Sequence, residues 1–119
     1  MPRIEREARR DLVGRPRAYR PREQTGRRPV VVWQSDQLTR VLQSVLVVPL
    51  TTNMARAHLA GTALIEPIDG NPPEASVALA FQLRAVPKSC LVDRIRPLTE
   101  SELGELEQAT DEALGRLEP

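Results

Sequence analysis

The stretch from residue 23 to residue 33 joins a glycine turn to an apolar strand. It reads Glu23-Gln24-Thr25-Gly26-Arg27-Arg28-Pro29-Val30-Val31-Val32-Trp33. Pro29 can open a strand because its missing amide hydrogen costs the sheet only one hydrogen bond. Arg27 and Arg28 suit a phosphodiester, since a guanidinium is permanently charged and its planar fork meets two oxygens at once. Two solvated surface arginines are an equally good interpretation of this pair taken alone.

The length and composition of the chain predict one domain that needs neither a disulfide nor a metal ion for stability. A chain of 119 residues can bury roughly two-thirds of its unfolded surface, so it needs no metal or disulfide for stability. The single cysteine, Cys90, and the single histidine, His58, argue against a disulfide framework, a zinc site or a Cys-His nucleophile. We expect no cofactor. The sequence has no apolar run of membrane-spanning length and no signal-peptide core, which predicts a cytoplasmic protein.

The charges are unevenly distributed along the chain. The formal net charge is +1, but residues 1–29 hold ten Arg against four acidic residues and residues 30–119 carry an excess of acidic groups. The basic end could meet nucleic acid, and the acidic remainder could not. A solvated basic tail explains the same arginines without any function, so the charge alone decides nothing.

Apolar and alternating segments predict five short strands followed by one helix. The helix should begin after a capping box formed by Thr99 and Glu102 and should pack an apolar stripe on the sheet. Five strands with tight connections and a terminal helix predict a small, strongly bent antiparallel sheet or partial barrel. The predicted strands are Pro29 to Gln34, Ser44 to Leu50, Thr62 to Ile68, Ser76 to Val86 and Leu91 to Ile95, and the helix is Ser101 to Leu117.

Polar residues follow or interrupt these strands at places where chemistry could occur. Arg28 precedes the first predicted strand, Thr51 follows the second, and Gln82 interrupts the fourth with Arg84 on the same strand parity. Each has an ordinary alternative: Thr51 could cap a loop, and Gln82 could be the outward member of a half-buried strand.

Three ordered segments resemble the motifs of the PemK/MazF family, the toxin endoribonucleases of bacterial toxin-antitoxin pairs. The resemblance covers about residues 22 to 117. The segments are EQTGRRPVVV at Glu23–Val32, VVPLTTN at Val47–Asn53 and SVALAFQLRAVPK at Ser76–Lys88.

The resemblance implies a fold, an activity and partners. The fold would be a small SH3-like, CcdB/PemK-type antiparallel β-barrel with a C-terminal α-helix, in a homodimer that cleaves single-stranded mRNA without metal by 2′-hydroxyl attack. A small acidic antitoxin would block the RNA groove. The family's catalytic positions match Arg28 and Thr51, with Glu23 as a further candidate, and the residues expected to bind RNA are Gln24, Arg27, Thr52, Asn53, Gln82 and Arg84.

The chain departs from the family pattern before residue 22. We therefore predict a divergent Arg-rich segment over residues 1–21 and a toxin domain over residues 22–119, with the usual N-terminal strand missing or replaced. Ile4, Ala8 and Leu12 have the spacing of a short helix, and the segment Arg15–Arg22 is expected to be a loop.

Two other functions stay open at this point. The chain could be a catalytically impaired or non-enzymatic toxin-like barrel that acts by binding a protein, as gyrase-poisoning toxins do. It could also be a basic nucleic-acid-binding module, which would show a steep salt dependence of affinity and no cleavage.

Overall fold

The computed structural model describes residues 16–21 and 28–116. These residues form seven strands, two α-helices and three short 3₁₀ turns. The strands are β1 (Arg17–Pro21), β2 (Val30–Val32), β3 (Ser44–Thr51), β4 (Thr62–Ile65), β5 (Ser76–Leu79), β6 (Arg84–Pro87) and β7 (Leu91–Pro97). The helices are α1 (Asp36–Val41) and α2 (Glu100–Ala113), and the 3₁₀ turns are Met54–His58, Ala80–Gln82 and Lys88–Cys90.

The seven strands form one antiparallel sheet in the order β4-β5-β3-β2-β1-β7, and β6 pairs with β3 beside this path. The long strand β3 is the centre, because it pairs with β2 on one side and with both β5 and β6 on the other. The predicted antiparallel sheet with a C-terminal helix is confirmed. Within the described residues the path ends at β4 and β7, so the sheet is not closed into a complete barrel.

The sheet separates two apolar clusters. One lies under α2, where Val48 and Leu50 of β3 are buried together with Leu106 and Ala109 of the helix. The other lies on the opposite face, where Val45 and Val47 of β3 are buried with Tyr19, Val30, Val32 and Leu91. Alternate residues of β3 therefore point into different clusters, as the two-residue period of a strand requires.

Helix α2 begins as the sequence predicts. The Thr99 side chain accepts a hydrogen bond from the Glu102 backbone N–H at 3.1 Å, and a Glu102 carboxylate oxygen accepts one from the Thr99 N–H at 2.9 Å. This capping box satisfies two backbone donors that would otherwise lack partners. The helix ends at Ala113 rather than at Leu117. Among the helices of the described segments, none is long and apolar enough to cross a membrane.

Arg96, near the end of β7, connects this strand to α2 and to the segment between β4 and β5. Its guanidinium donates to both carboxylate oxygens of Glu102, at 2.7 and 2.8 Å. It also donates to the backbone oxygens of Asn71 at 2.8 Å, Glu66 at 2.9 Å and Pro97 at 3.0 Å. The side chains of Arg96 and Glu102 are only 12% and 11% exposed, so most of this pairing takes place away from water.

The segment predicted as a loop over Arg15–Arg22 contains β1, so that prediction is wrong. Ala18 and Tyr19 are both buried, and β1 pairs with β2 and with β7. The β1–β7 register shifts between Ala18 and Tyr19, and such a bulge lets two consecutive side chains point inward. A first strand is therefore present, although it precedes the domain boundary predicted at residue 22. The helix predicted over residues 4–12 lies outside the described residues.

The prediction of one long strand over Ser76–Val86 is also wrong, because a 3₁₀ turn splits it into β5 and β6. The β5 register pairs Leu50 with Ala78, whereas the β6 register pairs Val47 with Arg84, which leaves three residues more on this side than on β3. The surplus is the turn Ala80–Gln82, closed by a hydrogen bond from the Leu83 N–H to the Ala80 oxygen at 3.2 Å.

Gly61 provides a test of the packing between the sheet and α2. Its φ is +80°, and an added Cβ would lie 3.3 Å from Cδ2 of Phe81. We expect Gly61→Ala to lower the free energy of unfolding by about 1–2 kcal/mol, because an L-residue is strained in this region of backbone conformation. Urea unfolding followed by circular dichroism measures the change.

Gly104→Ala is the matched control, since Gly104 lies within α2 and a Cβ there would meet nothing within 4 Å. Alanine should stabilise the helix by up to about 1 kcal/mol at this position. Equal urea midpoints for Gly61→Ala and the wild type would contradict the role given to Gly61.

Candidate active site

Extending the register of the β2–β3 ladder beyond β2 would set Arg28 opposite Thr51. Val30 pairs with Pro49, and the Leu50 N–H donates to the Pro29 oxygen at 3.0 Å, which extends the ladder by one pair beyond β2. One further step in the same register would bring Arg28 to Thr51. Directly opposed residues of an antiparallel pair have Cα atoms about 4.5–5.5 Å apart, so two residues separated by more than twenty positions become neighbours.

Both residues lie on the face of the sheet opposite α2. Arg28 has the strand parity of Val30 and Val32, and Thr51 has that of Val47. All three valines belong to the apolar cluster on the face remote from the helix. Opposed residues with the same parity present their side chains to the same side, so the extended register would give the guanidinium and the hydroxyl one surface.

Thr51 is almost completely buried, with 6% of its surface exposed. Its hydroxyl oxygen accepts a hydrogen bond from the Asn53 backbone N–H at 3.2 Å. Within residues 16–21 and 28–116, the structure shows no acceptor for the hydroxyl proton of Thr51. A hydroxyl carries one donor and two acceptor lone pairs, so this side chain could donate its proton to a ligand.

Arg28 is exposed, and none of the described residues forms a hydrogen bond or an ion pair with its guanidinium. An unpaired guanidinium beside a polar hydroxyl is suited to an anion with several oxygens, because its donors lie in one plane and act in pairs.

Asn53, two residues after Thr51, has a structural contact that the sequence did not predict. Thr52 and Asn53 are exposed, but the side-chain oxygen of Asn53 accepts a hydrogen bond from the Ala55 N–H at 3.1 Å and caps the 3₁₀ turn Met54–His58. Sequence reasoning assigned Asn53 only to RNA and missed this cap. An Asn directly before a short polar-apolar segment is a typical N-cap signal and could have indicated it.

Gln82 and Arg84 lie on the other side of β3. Arg84 is exposed and is paired with Val47, so it shares the face of Thr51 at a position about 13 Å further along β3, taking about 3.3 Å per residue. Gln82 is exposed on the turn that joins β5 to β6. The extended β2–β3 register thus favours Arg28 and Thr51 as neighbours, whereas Arg84 lies about four residues further along β3. Glu23, Gln24 and Arg27 lie outside the described residues.

Other parts of the described surface do not compete as an active site. A cavity of ≈ 350 Å³ lies between α2, β4 and the turn Met54–His58, and the carboxylates of Glu105 and Glu112 line it beside Gln108. This negative lining is unfavourable for RNA. In the segments that the structure describes, no three His, Cys, Asp or Glu side chains are grouped so that they could hold a metal ion.

A family model for the PemK-like, MazF-like toxins of type II toxin-antitoxin systems matches residues 13–114. The chain belongs to this family. The match begins four residues before β1 and reaches to the end of α2, so it includes the entire described sheet.

Two similar relatives are both named Endoribonuclease MazF. The protein of Staphylococcus epidermidis is 32% identical over 93 residues, which is 78% of this chain and 78% of the relative. The protein of Staphylococcus saprophyticus subsp. saprophyticus is 30% identical over 93 residues, again 78% of each chain.

Solved structures of the family share the fold. A mycobacterial endoribonuclease in complex with its cognate antitoxin matches with a TM-score of 0.74 at 23% identity, covering 88% of this chain and 97% of that chain. The family membership therefore rests on the sequence, and the solved structure shows that the fold is shared.

Proposed function

We propose that Arg28 and Thr51 form the centre at which this chain, a MazF-type endoribonuclease toxin, cleaves single-stranded RNA without a metal ion. The observation that supports the proposal is the β2–β3 register, whose extension would set the Arg28 guanidinium opposite the Thr51 hydroxyl, and none of the described residues pairs with that guanidinium. The names of the relatives, at 30% and 32% identity, support the activity.

The reaction needs an attacking group from the RNA itself. The ribose 2′-hydroxyl oxygen forms a bond to the adjacent phosphorus, and the bond between phosphorus and the 5′-oxygen breaks. The 2′-hydroxyl gives up its proton and the 5′-oxygen gains one, so the products are a 2′,3′-cyclic phosphate and a free 5′-hydroxyl. The protein has to stabilise the negative charge that accumulates on the phosphorane oxygens between these two events.

Arg28 and Thr51 divide this work. The Arg28 guanidinium binds the non-bridging oxygens and stabilises their charge, which is usually the largest single contribution to such catalysis. Because an arginine side chain stays protonated in proteins, its role is electrostatic rather than that of a base. The Thr51 hydroxyl donates its proton to a phosphate oxygen or holds the attacking group. Glu23 is the candidate for accepting the 2′-hydroxyl proton.

The remaining predicted residues would guide the RNA strand. Arg84 lies on the same face as Thr51 and would bind a different phosphate from the one cleaved. Gln82, together with Gln24, Arg27 and Thr52, would contact bases or backbone of a strand laid across β3. Single-stranded RNA is usually read through splayed bases in this way.

The partners of this toxin follow from its family. We propose a homodimer that a small acidic antitoxin neutralises, since carboxylates placed against Arg27 and Arg28 would replace the phosphates of the RNA. A structural relative has been solved in complex with its cognate antitoxin. A toxin that cleaves mRNA acts in the cytoplasm, and we place this chain there. The non-enzymatic alternative is not favoured, because both curated relatives carry the name of an endoribonuclease.

The chemistry of the products tests the proposal. We expect purified protein to cut a mixed-sequence RNA in excess EDTA and to leave 2′,3′-cyclic phosphate and 5′-hydroxyl ends, because the nucleophile is the neighbouring ribose. Labelling with polynucleotide kinase, with and without prior phosphatase, identifies the 5′ ends, and a mock purification from cells that lack the protein is the control for contaminating nuclease. Cleavage that needs added Mg²⁺, or products with 5′-phosphate ends, would refute the mechanism.

A further inference from the structure

We infer that Asn53 is a positioning residue for Thr51: its carboxamide caps the following turn instead of binding RNA, and its backbone N–H binds the Thr51 hydroxyl. The inference rests on the proposed function, because it gives the Thr51 hydroxyl a role at the reacting phosphate. It replaces the RNA-binding role that the sequence predicted for Asn53.

Three hydrogen bonds of Asn53 connect Thr51 to the following turn. The Asn53 N–H donates to the Thr51 hydroxyl oxygen at 3.2 Å. The Asn53 side-chain oxygen accepts from the Ala55 N–H at 3.1 Å, and its backbone oxygen accepts from the Arg56 N–H at 3.1 Å. These hydrogen bonds restrain the position of Asn53, and the backbone N–H of Asn53 donates to the Thr51 hydroxyl.

This arrangement limits where the Thr51 hydroxyl can lie. The bond from Asn53 occupies one lone pair of the hydroxyl oxygen and restrains the rotation of the side chain about Cα–Cβ. The proton keeps its rotation about the Cβ–Oγ bond, and the described part of the chain offers it no acceptor. The result is a hydroxyl oxygen held in position before the substrate arrives, which lowers the reorganisation needed in the transition state.

The same bonds make Asn53 a poor RNA ligand. Its side-chain oxygen is already used by the Ala55 N–H, so contact with a base edge through this oxygen would require the cap to break. An Asn side chain that recognises a base commonly presents both its oxygen and its amino group to the base edge.

Steady-state cleavage of a short fluorogenic RNA tests the inference through the separate values of kcat and KM. We expect Asn53→Ala to lower kcat roughly tenfold or more with KM unchanged, because a small misplacement of a catalytic group is costly in rate. Asn53→Ser should restore most of kcat, since serine is also a good N-cap acceptor. Gln37→Ala removes a carboxamide from an exposed site on α1 and serves as the control, with kcat and KM as in the wild type.

Other results would overturn the inference. A raised KM in both Asn53 variants with unchanged kcat would show that the carboxamide contacts RNA. A lower melting temperature for Asn53→Ala with unchanged kcat would show that the cap serves stability alone. Arg28→Ala and Thr51→Val report on the proposed centre itself: if both cleave at the wild-type rate, the proposed function fails and this inference fails with it. If both are impaired and Asn53→Ala is not, only the role of Asn53 is refuted.

Discussion

Replacing Arg28 by alanine is expected to lower the rate of RNA cleavage by about a hundredfold or more, which is the scale of losing one preorganised donor to a developing oxyanion. The residue is exposed, so its removal should leave the fold intact. Initial rates on a short RNA containing the cleavage site measure the loss. Binding of the same RNA with a 2′-deoxy substitution at that site measures affinity separately.

Two variants separate the specific role of Arg28 from a general effect of charge. Arg28→Lys keeps the charge but not the planar fork, and we expect it to recover only part of the rate. Arg116 follows α2 and pairs its exposed guanidinium with Asp111 of that helix. Arg116→Ala removes this guanidinium and should cleave at the wild-type rate. Normal turnover in Arg28→Ala would remove this residue from the mechanism.

Arg96→Met is expected to cause the largest loss of stability among single substitutions at polar residues, by about 3 kcal/mol or more. The methionine keeps much of the apolar stem but leaves Glu102 as a mostly buried carboxylate without its cation, and it frees the backbone oxygens of Glu66 and Asn71. Urea unfolding gives the change in free energy. Arg40→Met, at an exposed position of α1, is the control and should change stability by less than about 0.5 kcal/mol.

The same ion pair makes stability depend on pH in a definite direction. Burial alone raises the pKa of Glu102, but the hydrogen bonds from Arg96 and from Thr99 outweigh it, and the pKa lies below its ordinary value. A carboxyl whose pKa is lowered by folding stabilises the native state above its unfolded pKa, and this contribution is lost as the pH falls through the lowered value. We therefore expect the stability of Arg96→Met to fall less than that of the wild type when the pH is lowered from neutral to below the ordinary pKa of a glutamate. Identical acid dependence in the two proteins would contradict this assignment.

The sequence predicted the elements that are determined by residues close together in the chain. The capping box before α2 and the valine run of β2 were both read from the sequence, because a cap and a continuous apolar run need no distant partner to be recognised. Strand β1 was missed, since a β-bulge makes the neighbours Ala18 and Tyr19 both buried and removes the alternation that marks a strand. Helix α1 was also missed, because its six residues are too short for a helical period to show.

The candidate site was predicted as a set of residue types and not as a geometry. Arg28 and Thr51 could be selected because each lies at an end of an apolar strand and matches a family motif. Their juxtaposition depends on the pairing of Val30 with Pro49, and a slip of one residue would have put them on opposite faces. The role of Asn53 depends on hydrogen bonds within a turn, which no spacing of residues in the sequence displays.

The 3₁₀ turn between β5 and β6 contributes no pairs to either ladder of β3. Its ends are anchored by Ala80 and Leu83 in the cluster under α2, whereas Phe81 and Gln82 are open to solvent. Substitutions at these two positions, or a change of length between them, can therefore accumulate without disturbing the strand that carries Thr51. With Gln82 in the RNA-contacting role proposed for it, base preference could be altered in this segment while the β2–β3 ladder stays as it is.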